Sequence, residues 1–328
     1  MYNKSDCDTY GRYFTMKDYG FGIDLGGTTC KIGLFKTSGE LVEKWEIPTN
    51  TANDGENILK DIAGAIHGKM IEKDITKEMV EGAGIGVPGP IMKDGSVNRC
   101  VNLGWGVKPI EKELSELLGF AVKAGNDANV AALGEAWKGA GQGYDSIVMV
   151  TLGTGIGGGI ILDGKILGGE HGAAGEIGHI TVNKQEIEAC GCGRYGCIEQ
   201  YASATGIVRM AKRHLKSTSD PSTLRDLDLD KLEAKDVFDA AKAGDEEAKE
   251  IVVDSSKLLA QMLASVSEVV DPQAFVIGGG VSKAGQILVD TIAKEFKDAV
   301  FHACKEIDIK LATLGNDAGM YGAVKMIL

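Results

Sequence analysis

The chain has 328 residues, with 47 acidic against 35 basic side chains and a formal net charge of −12. Such a surface repels polyanions and argues against broad nucleic-acid or anionic-membrane binding, while backbone N–H groups remain able to hold a phosphorylated small ligand. Glycine is the outlier at 46 residues beside 6 prolines, about twice its usual share, a balance that excludes both collagen and Pro/Gly-rich disorder.

The length predicts two domains. No apolar run approaches the ~18 residues of a spanning helix, and the polar start, MYNKSDCDTYGRYFTMKDYG, lacks a signal core. The expectation is a cytoplasmic protein with residues 1–18 as a weakly ordered extension, Met16 being an alternative start.

A β-meander follows, FGIDLG, TCKIGLFK and LVEKWEIP, with turns at Gly26-Gly27 and Ser38-Gly39. From Asn53 the pattern turns helical, with Ile58, Ile62, Ile66 and Met70 recurring on one face. A buried strand, GAGIGVPG, and a helix around Pro109–Leu118 come next. AVKAG then leads through Asn126-Asp127 into a small-residue helix. A strand, DSIVMVTLG, precedes the hairpin GGIILDGKILGG, whose turn is Asp163-Gly164. Helices dominate from Glu199 to Val270 around a polar loop. The strand QAFVIGGG, a helix from about Ser282, the strand DIKLATLG and a last helix complete the chain. IDLGGTTCKIG repeats as VTLGTGIGGGI, and GNDANVAALGEA (from Gly125) repeats as GNDAGMYGAV (from Gly315). The economical reading is a duplicated βββαβα unit with ATP between the halves.

The turn Asp24-Leu25-Gly26-Gly27-Thr28-Thr29 lets the backbone approach a ligand closely. Its hydroxyls and N–H groups suit phosphate, and Asp24 suits Mg2+ or its waters; a plain hairpin is the bland alternative. Gly153-Thr154-Gly155-Ile156-Gly157-Gly158-Gly159 puts five glycines in seven residues, a density that a close ligand explains better. It is neither a Walker A loop nor a dinucleotide fingerprint, because strand rather than helix follows. Gly278-Gly279-Gly280 reads as a tight strand-to-helix turn or as a surface for adenine. His179, Cys190, Cys192 and Cys197 lie within nineteen residues and fit a closed, structural Cys3His zinc site. Asp127 reads as a helix N-cap, as does its duplicate Asp317. Glu176 and Glu199, read blandly, are surface acids.

With DLGGT, LGTGIGGG, GEIGH and CGCGRYGCIE in place, the chain from Tyr19 to Leu328 resembles the bacterial glucokinases of the ROK sugar-kinase family. That resemblance implies an α/β class: a duplicated actin-like/hexokinase-like (ribonuclease H-like) fold, two domains with a cleft between. The small domain would take residues 19–124 plus 314–328, and the large one, carrying the zinc loop, 125–313. It implies ATP phosphates held by Asp24, Gly26, Gly27, Thr28, Thr29 and Lys31 and by Gly153, Thr154, Gly155, Gly157 and Gly158. Gly278, Gly279 and Gly280 would adjoin the adenosine, so a bulky side chain at Gly155 is expected to weaken ATP binding first. Glucose or a closely related hexose would be bound by Asn126, Asp127, Glu176, His179 and Glu199 beside Pro88 and Gly89, with Asp127 as general base. One ring nitrogen of His179 would face zinc and the other the sugar. A homodimer is the family expectation. N-acetylmannosamine kinase is the alternative activity. A sugar-responsive repressor is less favoured, since fewer than 25 residues precede Asp24, too few for a helix–turn–helix reader.

Overall fold

The computed structural model describes residues 17–328, so the expected N-terminal extension and Met16 lie almost wholly outside the described residues. Among the described residues, ten strands form two five-stranded sheets. In the first, β1 (Tyr19–Leu25), β2 (Thr29–Lys36) and β3 (Leu41–Pro48) make an antiparallel meander. β4 (Val80–Val87) and β5 (Val122–Asn126) then add in parallel beyond β1, giving the order β3-β2-β1-β4-β5. The second sheet repeats the scheme. β6 (Ile147–Leu152), β7 (Ile156–Leu162) and β8 (Lys165–Ile166) are antiparallel. β9 (Ala274–Gly278) and β10 (Asp308–Leu311) are parallel to β6, in the order β10-β9-β6-β7-β8. The internal duplication seen in the motifs is therefore a duplication of topology.

Each sheet has its own core. Phe21, Ile23 and Leu25 of β1 are buried together with Ile58, Ile62, Ile66 and Met70 of α2 (Ile58–Glu72), the isoleucine face read from the sequence. That helix starts later than expected. Asn53 and Asp54, within the single turn α1 (Ala52–Gly55), sit at φ +50° and +55°, and left-handed residues cannot continue into a right-handed helix. α3 (Ile110–Leu118) closes the first lobe, with Pro109 at its N-cap. In the second lobe α5 (Glu199–Ala202), α6 (Ala204–Ser217), α7 (Ala234–Lys242), α8 (Glu246–Val270) and α9 (Gln286–Ala299) cover the sheet. The helix expected from Ser282 begins at Gln286, because residues Gly280–Ala284 form a 3-10 turn first and Gly285 turns the chain at φ +80°. Among the described residues, no helix is long and apolar enough to cross a membrane.

The lobes meet where α4 (Asp127–Lys138) crosses α10 (Ala318–Lys325). The backbones touch: a Cβ on Gly322 would lie 1.6 Å from the Val130 carbonyl oxygen, and one on Gly134 would lie 2.2 Å from that of Ala318. Only hydrogen fits at either position. Gly322→Ala should therefore force the helices apart and destabilise the protein by about 1–3 kcal/mol or more, as overpacking of a tight interface does; thermal melting against the wild type measures this.

Candidate active site

Both strand-to-helix junctions of the duplicated halves open onto the same cleft. β5 ends at Asn126, and it is Asn126, not Asp127, that caps α4. Its Oδ1 accepts from the N–H groups of Ala128 (3.1 Å) and Asn129 (3.2 Å), while its Nδ2 points to the Gly89 carbonyl at 3.3 Å. The N-cap reading of Asp127 is thus corrected by one residue. With the cap supplied by its neighbour, Asp127 stands as the first helical residue, half-buried, accepting the Ala128 N–H at 2.8 Å. Burial raises its pKa, and the nearby Glu176 carboxylate raises it further, against the helix-start N–H groups that lower it. The duplicate behaves differently. Asp317 makes no side-chain cap; it pairs with Lys44 at 2.6 Å. Helix-start aspartates of identical local sequence diverge because a lysine of β3 reaches only one of them.

Asp24, at the end of β1, is half-buried, and burial raises its pKa; Lys31 opposes that shift, while Asp127 and Asp317 add to it. Three carboxylates thus share one small region of the cleft. The Gly26-Gly27 turn is closed by the Gly26 N–H donating to the Thr29 carbonyl at 3.1 Å. Thr49, which sequence patterns did not single out, braces it: its hydroxyl donates to the Gly26 carbonyl at 2.8 Å and its N–H to that of Thr28 at 2.9 Å. Gly27 and Thr28 are left exposed to the cleft. Lys31 extends to the Asn316 carbonyl at 3.2 Å, tying this turn to the second Asn-Asp pair.

The second glycine turn divides. Gly153, Thr154 and Gly155 form the turn between β6 and β7, whereas Gly157 and Gly158 lie within β7 itself. Gly158 is buried, and a Cβ there would lie 2.5 Å from the Gly175 carbonyl oxygen; its glycine serves packing rather than a nucleotide. The third cluster divides in the same way. Gly278 is buried in β9 and Gly279 turns at φ +84° against Leu152, while Gly280 is exposed. Gly280 and Thr154 line a 570 Å³ cavity whose walls include Thr205 and Val208 of α6 and Phe238 of α7. Sequence reading missed these wall residues. Their signal was only the ordinary apolar spacing of two helices, which the core uses as well.

Glu199 joins three parts of the site. One carboxylate oxygen accepts the Ile156 N–H at 3.0 Å; the other lies 3.5 Å from Cys190 Sγ. A Cβ on Gly155 would fall 2.1 Å from Glu199 Oε2. The absent side chain at 155 therefore makes room for Glu199 before it makes room for a phosphate. His179, Cys190, Cys192 and Cys197 converge, their ligand atoms all within 4.8 Å of one another. His179 presents Nδ1 to Cys190 Sγ at 3.8 Å, and Cys192 and Cys197 lie 3.7 Å apart. Burial pushes the Cys190 thiol up to about 12, while the backbone N–H of Arg194 holds the exposed Cys192 thiol below its usual value.

The loop carrying these thiols is anchored from behind by a group that no motif announced. Glu186, buried, receives Arg209, Arg213 at 2.9 and 3.0 Å, and the Tyr201 hydroxyl at 2.5 Å. The arginines hold its carboxyl well below the usual carboxylate range. Arg209 and Arg213 lie one helical turn apart on α6 and so point the same way, but nothing in their sequence distance from Glu186 joins them.

The chain is similar to known proteins along nearly its whole length. Residues 20–328 match the model of the ROK family. A glucokinase from Halalkalibacterium halodurans is 44% identical over 92% of both chains. An N-acetyl-D-glucosamine kinase from Mannheimia succiniciproducens is 31% identical over 94% of this chain and 99% of its own length. A ROK family glucokinase from Streptomyces griseus, solved with glucose and AMPPNP, superposes with a TM-score of 0.73 at 34% identity, covering 94% of this chain and 98% of that one. With its duplicated sheets facing one cleft and its sequence matched from end to end of the described fold, the chain belongs to the ROK family.

Proposed function

We propose that the protein transfers the γ-phosphoryl group of ATP to the 6-hydroxyl of glucose, with Asp127 as general base. The observation that carries this reading is Asp127 itself: a half-buried carboxylate with no ion-pair partner among the described residues, its pKa raised by burial against the Ala128 N–H it accepts, at the β5–α4 junction. A general base works best when its pKa moves toward the working pH. The 44% identical glucokinase and the glucose–AMPPNP complex of a relative support the same substrates.

In this reading the turns formed by Gly27, Thr28 and Thr29 and by Gly153, Thr154 and Gly155 receive the phosphates, Gly27, Thr28 and Thr154 being the exposed positions, with Gly26 shaping the first turn. Lys31 lies near enough to Asp24 to offset its charge, and the cavity beside Gly280 takes the nucleoside. Glu176, His179 and Glu199 orient the sugar hydroxyls, and Asn126 holds the Pro88-Gly89 loop against the acceptor side. Asp127 takes the proton from the 6-hydroxyl as that oxygen attacks phosphorus. Closure of the lobes excludes water, the competing acceptor. The carboxylate group at Asp24 fits Mg2+, since burial and the neighbouring acids Asp127 and Asp317 raise its pKa and favour a cation beside it; bound there, the ion would neutralise charge on the phosphoryl oxygens. The Cys3His donor set fits Zn2+, held by His179, Cys190, Cys192 and Cys197, where it would fix the loop that carries Glu199 and the imidazole of His179.

Five outcomes test this reading. Assayed with ATP against a panel of hexoses and N-acetylhexosamines, the protein should show its highest kcat/KM on glucose; preference for N-acetylmannosamine or N-acetylglucosamine would move the assignment within the family, and turnover of no sugar would overturn it. Asp127→Asn should retain sugar binding in calorimetry and lower kcat about 10²–10⁴-fold. Because the Asp127 pKa is raised, wild-type kcat/KM should rise with pH through an acid limb displaced above the ordinary aspartate value, and the variant should lack that limb. Gly155→Ala should push Glu199 off the Ile156 N–H, so that steady-state kinetics show the KM for glucose rising several-fold, roughly five or more, while the KM for ATP stays within about twofold. Cys192→Ser should lower both the zinc content measured by elemental analysis and the melting temperature.

A further inference from the structure

Glu135 is a fully buried acid that the mechanism above does not use. It lies on α4, eight residues after Asp127 and one after Gly134, where α4 touches α10. No cation pairs with it among the described residues; its partners are all backbone donors. Oε2 accepts the Ala140 N–H at 2.8 Å, both oxygens accept that of Thr313 at 3.1 Å, and Oε1 accepts that of Leu314 at 2.7 Å. Space for the carboxylate is made by Gly139, where a Cβ would lie 2.0 Å from Oε2.

The position of those donors gives the contact its meaning. Thr313 and Leu314 follow β10, the edge strand of the second sheet, and lead through Gly315–Asp317 into α10, which packs on β1 and β4 of the first. They therefore lie on one of the two places where the chain passes between lobes. The other is the β5–α4 junction at Asn126-Asp127, the N-terminal end of the helix that carries Glu135. One carboxylate thus ties the helix leaving the first crossing to the turn entering the second. It does so beside the Gly134–Gly322 contact, where the two helices meet backbone to backbone, and atoms beside such a contact move least when one lobe turns against the other. Hydrogen bonds placed there persist through rotation, whereas bonds far from the axis would break. A helix is stiff, so fixing its third turn also fixes the direction of Asp127, about 12 Å away at 1.5 Å per residue.

We propose that Glu135 is a positioning residue for phosphoryl transfer: its carboxylate pins the α4–α10 crossing to the Thr313-Leu314 turn, so that the lobes close about a fixed point and bring Asp127 to the acceptor hydroxyl in one orientation. The proposal rests on the kinase reading for its kinetic consequence and on the geometry alone for the pin. Glutamine at this position keeps the shape of the side chain and one accepting oxygen but turns an N–H group toward a backbone N–H. Aspartate keeps the charge and shortens the reach by one methylene.

The test uses the full chain with Glu135→Gln and Glu135→Asp. Hydrogen exchange should show the amides of Thr313 and Leu314, or that of Ala140, exchanging at least tenfold faster in Glu135→Gln. Steady-state kinetics should show kcat lowered about tenfold or more, with the KM values for glucose and ATP within about twofold of wild type. An unchanged kcat alongside faster exchange would overturn the proposal, as would parallel losses of melting temperature, KM and kcat, which mark a merely structural role. If Glu135→Gln does not fold, Glu135→Asp decides by the same criteria. Should the wild type phosphorylate no sugar, the kinase reading fails separately, and with it the kinetic half of the proposal; wild-type protection of the three amides and its loss in the variants still judge the pin.

Discussion

The contact of α4 with α10 is the constraint on which the rest of the molecule depends. Each helix begins at the end of a duplicated half, and each carries an Asn-Asp pair at that start. Because Gly134 and Gly322 bring backbone against backbone, the two helix starts are held at a separation set by main chain rather than by deformable side chains. Near those starts, Asp127 and Asp317 both add to the raised pKa of Asp24.

Around that crossing, the buried acids fall into different classes according to what compensates them. Glu135 is satisfied by backbone donors and Glu186 by two arginines and a tyrosine, so both are fully partnered. Asp127 and Asp24 are half-buried and pay for it with raised pKa values. Partnered acids hold elements in place; incompletely compensated ones face the cleft, where a proton or a cation can meet them. The Cys190–Cys197 loop follows the same division, its thiols turned toward one another on one side and Glu186, which precedes them, anchored to α6 on the other.

The glycine excess has two causes that composition cannot separate. Gly27, Gly153 and Gly280 lie at open turns on the cleft, as their motifs indicated. Gly134, Gly158 and Gly322 are glycine because another backbone occupies the space of a side chain. Gly155 is a third kind, since the space is taken by Glu199, a side chain from a segment more than forty residues away. Runs such as LGTGIGGG mix all three kinds, and so read as one uniform ligand loop when only the sequence is in view.

The sequence by itself determined the element order, the duplication, the meander cores and the convergence of Cys190, Cys192 and Cys197 with His179, because all of these rest on short-range periodicity and spacing. It also marked the two Asn-Asp junctions. Tertiary structure alone decided which of the two aspartates is ion-paired, since that depends on Lys44 reaching Asp317, and that Asn126 rather than Asp127 caps α4. It decided as well the cavity walls at Val208 and Phe238, the Glu186 anchor and the Glu135 pin. Each of these joins residues distant in the chain through atoms that local patterns do not record: a carboxylate oxygen, a backbone N–H, or the missing Cβ of a glycine. Chemistry carried by neighbouring residues is written in the sequence; chemistry created by close approach exists only once the two lobes are packed.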